Sequence, residues 1–233
     1  MKALDIIRIG SELLKKKKIQ SNILDSEILL SMTLRKSREE ILVNLDQNIN
    51  DKNILEFKTY LKRRSRNEPL AYILGEKEFW SKNFIVDNST LVPRPETELM
   101  VEKLISIFNE KKISILDIGT GSGCIIISLL SVLKKSIGTG IDVSKDAILT
   151  AKKNGIKFNL QNRLKFYNKS LESIFHQKFD LIVSNPPYIE SKNIKNLSDD
   201  IRKYEPLIAL DGGNDGLDLI KKVIYKSKEV LKL

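Results

Sequence analysis

The period of the apolar positions changes once along the chain. Up to about residue 70 it is helical. Ile6, Ile7, Ile9, Leu13 and Leu14 fall on one stripe, Ile23, Leu24, Ile28, Leu29 and Met32 on a second, and Ile54, Leu55, Phe57, Tyr60 and Leu61 on a third. Ser26 and Ser37, each near acidic residues, read as helix starts, and Asn48 to Asp51 as a break. These segments predict a small bundle of three or four short helices with no evident chemistry.

After Pro69 the pattern shortens. Phe79, Phe84, Ile85 and Val86 around Ser81-Lys82-Asn83 predict a short hairpin or extended segment. Val92-Pro93-Arg94-Pro95-Glu96-Thr97-Glu98 predicts a loop that two prolines hold in one shape, opening a helix to about Asn109. From Ile113 strands and helices alternate. Strands are expected at Ile113 to Ile118, Ser136 to Val143, Leu164 to Asn168 and Phe179 to Ser184, with helices at Cys124 to Leu133 and Lys145 to Asn154. That alternation predicts an α/β fold with a parallel sheet and right-handed crossovers.

Composition narrows the class. A chain of 233 residues, 41% hydrophobic and 30% charged, has enough apolar material for a core in one large or two modest domains. No apolar run reaches the length of a membrane-spanning helix, and the N-terminus has the wrong charge order for a signal peptide. A cytoplasmic, membrane-free protein is expected. The chain holds 1 Cys and 1 His, which excludes an internal disulfide and any Cys-based zinc site and disfavours Ser-His-Asp chemistry. No metal is expected. Cys124 reads as core, His176 as solvent-facing, and Trp80 as undecided. The net charge of +10 divides evenly at Leu70, and Lys15 to Lys18 reads as a solvated helix end. Such a surface favours RNA-rich or acidic partners in general.

Two motifs carry chemistry. Asp117-Ile118-Gly119-Thr120-Gly121-Ser122-Gly123 lies between a strand and a helix, where glycines let the backbone approach a ligand. Asp142 ends the next strand, at the spacing of a carboxylate that holds a ribose diol. A plain turn with Asp117 as helix N-cap is the bland alternative. Cys124 and Ile125 stand where a phosphate-binding loop needs Lys and Ser or Thr, so a ligand without phosphates fits better. S-adenosylmethionine is such a ligand.

Asn185-Pro186-Pro187-Tyr188 ends the fourth strand. The Asn185 side chain and a proline carbonyl can accept both hydrogens of a planar NH2 group, and Tyr188 offers a ring to stack on it. These residues suit methylation of an amide or aromatic amine nitrogen.

In these motifs the chain resembles the release-factor glutamine methyltransferases, the PrmC/HemK family. The resemblance runs through Arg63-Arg64, Glu68 to Gly75, Val92 to Glu98, Gly119 to Gly123, Asn185 to Tyr188, Tyr204-Glu205-Pro206 and Asp215-Gly216-Leu217. It implies a helical substrate-recognition domain over 1–72, a linking segment over 73–92, and a Rossmann-like class I methyltransferase domain over 93–233. It also implies S-adenosylmethionine as cofactor and a peptide chain release factor as partner, with no sequence-specific nucleic-acid binding. By the same resemblance Gly119, Thr120, Gly121, Ser122, Gly123, Asp142, Leu171 and Asn185 hold the cofactor. Asn185, Pro186, Pro187 and Tyr188 hold the glutamine, with Asn185, Pro186 and Tyr188 catalytic.

Two departures stand out. Ser170-Leu171 replaces the family's Asp and aromatic pair beside the adenine, which predicts weaker cofactor binding. Further C-terminal strands of the family are not found, so Leu181, Ile182 and Val183 are expected to form an unpaired edge and the chain to be of doubtful activity. An adenine amino-methyltransferase would use the same Asn185 to Tyr188 on a flipped base. It predicts an aromatic recognition region, yet residues 1–70 hold only Phe57 and Tyr60. A catalytically dead release-factor-binding fragment is the other alternative, distinguished by its failure to bind cofactor.

Overall fold

The computed structural model describes residues 1–173 and 177–232, so His176 lies outside the described residues. The chain forms two units, Met1–Leu74 and Gly75–Leu233. The first is helical: α1 (Ala3–Lys16), α2 (Asn22–Leu34), α3 (Arg38–Leu42), α4 (Asp51–Arg64) and α5 (Leu70–Leu74). Ser37 starts α3 as expected. Its Oγ accepts from Glu40 N at 3.2 Å while Glu40 Oε2 accepts from Ser37 N at 2.7 Å, so two orphan amides are satisfied reciprocally. In α4 the Asn50 side chain accepts from Asn53 N at 2.9 Å, and Lys62, Arg63 and Arg64 face the negative end of the helix dipole.

The core of this unit gathers Ile6, Leu14, Leu29, Leu30, Ile41, Phe57 and Leu61. Ile9 and Leu13 of the α1 stripe and Leu55 of the α4 stripe are exposed rather than in this core, and two further expectations need correction. Ser26 does not start a helix; it is buried inside α2 and donates to Ile7 O at 2.9 Å. The apolar stripe of α2 is also displaced, since Ile23 and Leu24 are exposed while Asp25 and Ser26 are buried. The cause is the Arg64–Asp25 ion pair at 2.6 Å, with side chains only 10% and 4% exposed. A pair that satisfies both charges lets polar residues occupy a face that apolar periodicity assigns to leucine.

The second unit opens with a hairpin, β1 (Glu76–Phe79) and β2 (Lys82–Ile85). The turn falls on Trp80 and Ser81, at φ 51° and 53°, rather than on Ser81 to Asn83. Positive φ at both positions matches the twist of a two-residue hairpin. Then come α6 (Glu96–Phe108), β3 (Ser114–Ile118), α7 (Cys124–Val132), β4 (Ile137–Asp142), α8 (Lys145–Lys157), β5 (Leu164–Asn168), β6 (Leu181–Ser184), α9 (Asp199–Tyr204) and α10 (Asp218–Val230).

The four later strands pair in parallel in the order β5-β4-β3-β6. Alternation along β3 sends Ile115 into a core with Phe79, Phe84, Val101, Ile126 and Leu130, and Leu116 and Ile118 into a second one with Ile141, Phe179 and Val230. Asp117 shares the Ile115 face and is therefore fully buried. The chain runs outward from β3 to β5, then returns to place β6 on the other side of β3. That reversal opens a crevice at the carboxyl ends of β3 and β6, where ligands bind in open α/β sheets.

β6 is the edge of this sheet and pairs only with β3, so among the described residues Leu181, Ile182 and Val183 have no outer strand partner, as expected. Ahead of the strand, Phe179 N donates to Val230 O and Lys232 N to Phe179 O, both at 2.8 Å. Leu181 and Val183 are buried and Ile182 is half-buried.

Candidate active site

Both chemical motifs sit at this crevice. The loop between β3 and α7 is held from three sides. Thr120 N donates to Ile141 O at 2.9 Å, Gly121 N to Asp142 Oδ2 at 2.9 Å, and Asn154 Nδ2 donates to Ser122 O at 2.9 Å. The other oxygen of Asp142 accepts from Ser144 N at 2.9 Å, so the carboxylate is fixed in orientation with lone pairs still free on each oxygen. Gly119 and Gly121 take φ values of +68° and +55°, and a Cβ added at either would meet nothing within 4 Å. That open space is a cradle which side chains would fill.

Asp117 is not a helix cap. The N-cap of α7 is Gly123, which makes no side-chain cap bond. Asp117 instead lies beneath the loop, where Thr120 Oγ1 donates to its Oδ2 at 2.7 Å and its Oδ1, among the described residues, has no hydrogen-bond partner. Burial pushes this carboxyl up to about 7, against the pull of the Thr120 bond and with help from the nearby Asp142 charge. Burial likewise pushes the Cys124 thiol up to about 12, so it is an unreactive wall residue.

A cavity of about 310 Å³ lies over the loop, with Gly119, Thr120, Gly121, Ser122, Asp142 and Leu171 on its wall together with Asn185, Pro186 and Pro187. The volume falls at the lower end of the range for small-molecule sites. Leu171 lies in a short helical turn and is buried against Leu116, Ile118 and Ile141. Gly123 is not on this wall. A second cavity of about 410 Å³ adjoins it, lined by Arg94, Thr97, Met100, Asn185, Pro186 and Tyr188 among others. The two share Asn185 and Pro186.

Asn185 directly follows β6, whose Ser184 Oγ donates to Ile118 O at 2.8 Å and ties the two strand ends together. Among the described residues neither the Asn185 side-chain amide nor the Pro186 carbonyl has a hydrogen-bond partner in the protein. Pro187 is buried, and Tyr188 is 64% exposed.

Three contributions have no local sequence signal or only a faint one. Arg94 pairs with Glu205 at 2.6 Å, and Glu205 also accepts from Val92 N at 3.1 Å, which fixes the rigid Pro93–Pro95 loop across 113 positions of sequence. Burial raises the Glu205 pKa, while Arg94 opposes that rise. Asp87 accepts from Ser89 N at 2.9 Å and from Thr150 Oγ1 at 2.9 Å, shaping the wall segment that carries Ser89 and Thr90. Asn154 joins Ile85 and Ser122; its only mark in the sequence is a polar residue on the stripe of Ala147, Ile148 and Ala151.

Among the described residues no group of three or more His, Cys, Asp or Glu could hold a metal ion, and no helix is long and apolar enough to cross a membrane.

A parallel sheet with a glycine loop after its first strand and an open amide after its fourth is compatible with a methyltransferase, and that is the class the matching families give. Residues 95–202 match the methyltransferase small domain, and residues 5–75 match the PrmC N-terminal domain. The release factor glutamine methyltransferase of Buchnera aphidicola subsp. Schizaphis graminum is 44% identical over 207 residues, 89% of this chain and 74% of that protein. That of Clostridium acetobutylicum is 38% identical over 238 residues, 100% of this chain and 83% of that protein. The hMettl16 catalytic domain, solved in complex with MAT2A 3′UTR hairpin 6, has a TM-score of 0.54 at 18% identity and covers 79% of this chain and 66% of its own, a likeness of fold alone. The chain belongs to the family of release factor glutamine methyltransferases.

Proposed function

We propose that the protein methylates the side-chain amide nitrogen of a glutamine in a peptide chain release factor, with S-adenosylmethionine as donor. The observation that carries this reading is the Asn185 amide, unpartnered on the wall shared by two cavities. S-adenosylmethionine supplies an electrophilic methyl group on a sulfonium centre. The cradle suits such a ligand: it offers space over Gly119 and Gly121, a fixed carboxylate at Asp142 for a diol, and beneath the loop the buried Asp117, whose charge where ionised favours a cationic guest. Leu171 supplies an apolar surface for a planar base.

An amide nitrogen is a poor nucleophile because its lone pair is delocalised into the carbonyl. Asn185 Oδ1 and the Pro186 carbonyl accept its two N–H bonds, which turns the nitrogen toward the neighbouring cavity. The same acceptors stabilise the positive charge that grows on nitrogen as it reacts. Tyr188 covers the amide plane. The helical unit recognises the release factor, residues 93–233 perform the transfer, and the setting is the cytoplasm.

Incubation of a release factor with the protein and cofactor should add one methyl group to one glutamine, read by mass spectrometry of its peptides. No added methyl, or one on another residue type, would remove the assignment. Asp142→Ala should weaken cofactor binding by about 1–3 kcal/mol, the range for hydrogen bonds to a charged group. Unchanged affinity by calorimetry would place the diol elsewhere.

A further inference from the structure

Behind Asn185–Tyr188 runs a segment, 210–217, with three glycines and no place in the chemistry above. Main-chain bonds fix its path. Ile189 N donates to Leu210 O at 3.1 Å, Gly212 N to Ile189 O at 2.8 Å and Ser191 N to Gly213 O at 2.9 Å. Asp211 Oδ1 accepts from Ser191 Oγ at 2.7 Å and from Gly213 N at 2.9 Å. The approach leaves no room for a side chain. A Cβ on Gly216 would lie 2.5 Å from the Tyr188 carbonyl oxygen, and one on Gly212 would lie 2.8 Å from Tyr188 Cα and 2.7 Å from Gly216 O. Every one of these neighbours is backbone, which cannot rotate aside as a side chain can. The Tyr188 ring, largely in solvent, owes its place to that backbone rather than to packing around it.

We propose that Gly212 and Gly216 are positioning residues for methyl transfer, setting the Tyr188 main chain and so the ring against which the acceptor amide lies. This rests on the assignment of Asn185–Tyr188 to the acceptor. Glycine at 216 answers both a left-handed φ of +75° and the collision with Tyr188. Gly75 separates the two, because it has the same φ of +75° with nothing within 4 Å of an added Cβ.

Gly216→Ala, Gly212→Ala, Gly75→Ala and Asn185→Ala should be compared for acceptor KM, kcat, cofactor Kd and melting temperature. Gly216→Ala should raise the acceptor KM about ten-fold or more, in keeping with the cost of a displacement near 1 Å at a reacting group. Its cofactor Kd should match that of Gly75→Ala, while its melting temperature should be lower than that variant's by the cost of the added collision with Tyr188. Gly212→Ala, whose φ is not left-handed, should show the same rise from the collision alone. If both leave the acceptor KM at the Gly75→Ala value, the proposal is wrong, even where kcat falls with the folded fraction. Failure of both to fold beside a folded Gly75→Ala would make the glycines structural and overturn it too. Full turnover in Asn185→Ala would instead sink the acceptor assignment itself.

Discussion

Asn185→Ala is expected to cut methyl transfer by about 100-fold or more, the range for removing one preorganised group that stabilises developing charge. Cofactor affinity and melting temperature should stay near the parent values. The reason is the free amide: among the described residues its removal breaks no hydrogen bond, so no structural partner there is left buried and unsatisfied. Cofactor affinity should stay within a few-fold, since Asn185 lines the cofactor cavity but Gly121, Asp142 and Ser144 hold one another without it. A loss of activity without a loss of stability separates a catalytic group from a packing one. Single-turnover kinetics with saturating cofactor, set beside thermal melts, measures both. Near-parent turnover would take Asn185 out of the reaction; a melting temperature many degrees lower would make it structural.

The motifs themselves were legible because each is local. A glycine loop between strand and helix, an acid at the next strand end and Asn-Pro-Pro-Tyr after the last strand all follow from order along the chain. The sheet puts them at one crevice because β3 and β6 are neighbours. What escaped reading was non-local. The Arg94–Glu205 clasp joins positions 111 residues apart, and neither partner carries a mark that names the other. Asp25 and Ser26 displaced apolar residues from the α2 interior because Arg64 and Ile7 O satisfied them. Periodicity counts apolar residues, and a buried pair that satisfies itself does not register in that count. The hairpin turn moved for a local reason: Trp80 and Ser81 took up left-handed φ although glycine was absent.

Asp117→Asn is expected to make the protein more stable at neutral and alkaline pH. The folded carboxyl is pushed up to about 7 by burial, from an ordinary value of 3.8. Below that ordinary value both folded and unfolded chains hold the proton, and the side chain contributes its full share of stability. As pH rises toward 7, the unfolded chain releases the proton while the folded one keeps it, so stability falls. Above the folded value the buried group must ionise and the whole cost, about 4 kcal/mol, is present. Asparagine carries no charge at any pH and still accepts from Thr120 Oγ1, so it mimics the protonated acid. The variant's advantage over the parent should therefore grow by about 2–3 kcal/mol between about pH 5 and pH 8. Urea melts of both proteins at those two pH values give that difference, and other titrating groups cancel in the comparison. A difference that stays flat would mean that Asp117 titrates as an ordinary acid. Stability gained this way has a functional cost. Asp117 is buried beneath the loop proposed to receive a cationic cofactor, so at a pH where it is ionised its charge favours that cofactor, and the more stable variant should bind S-adenosylmethionine less tightly. Calorimetry on the same two proteins at about pH 8 tests this, and equal affinity would show that the buried charge does not act on the cofactor.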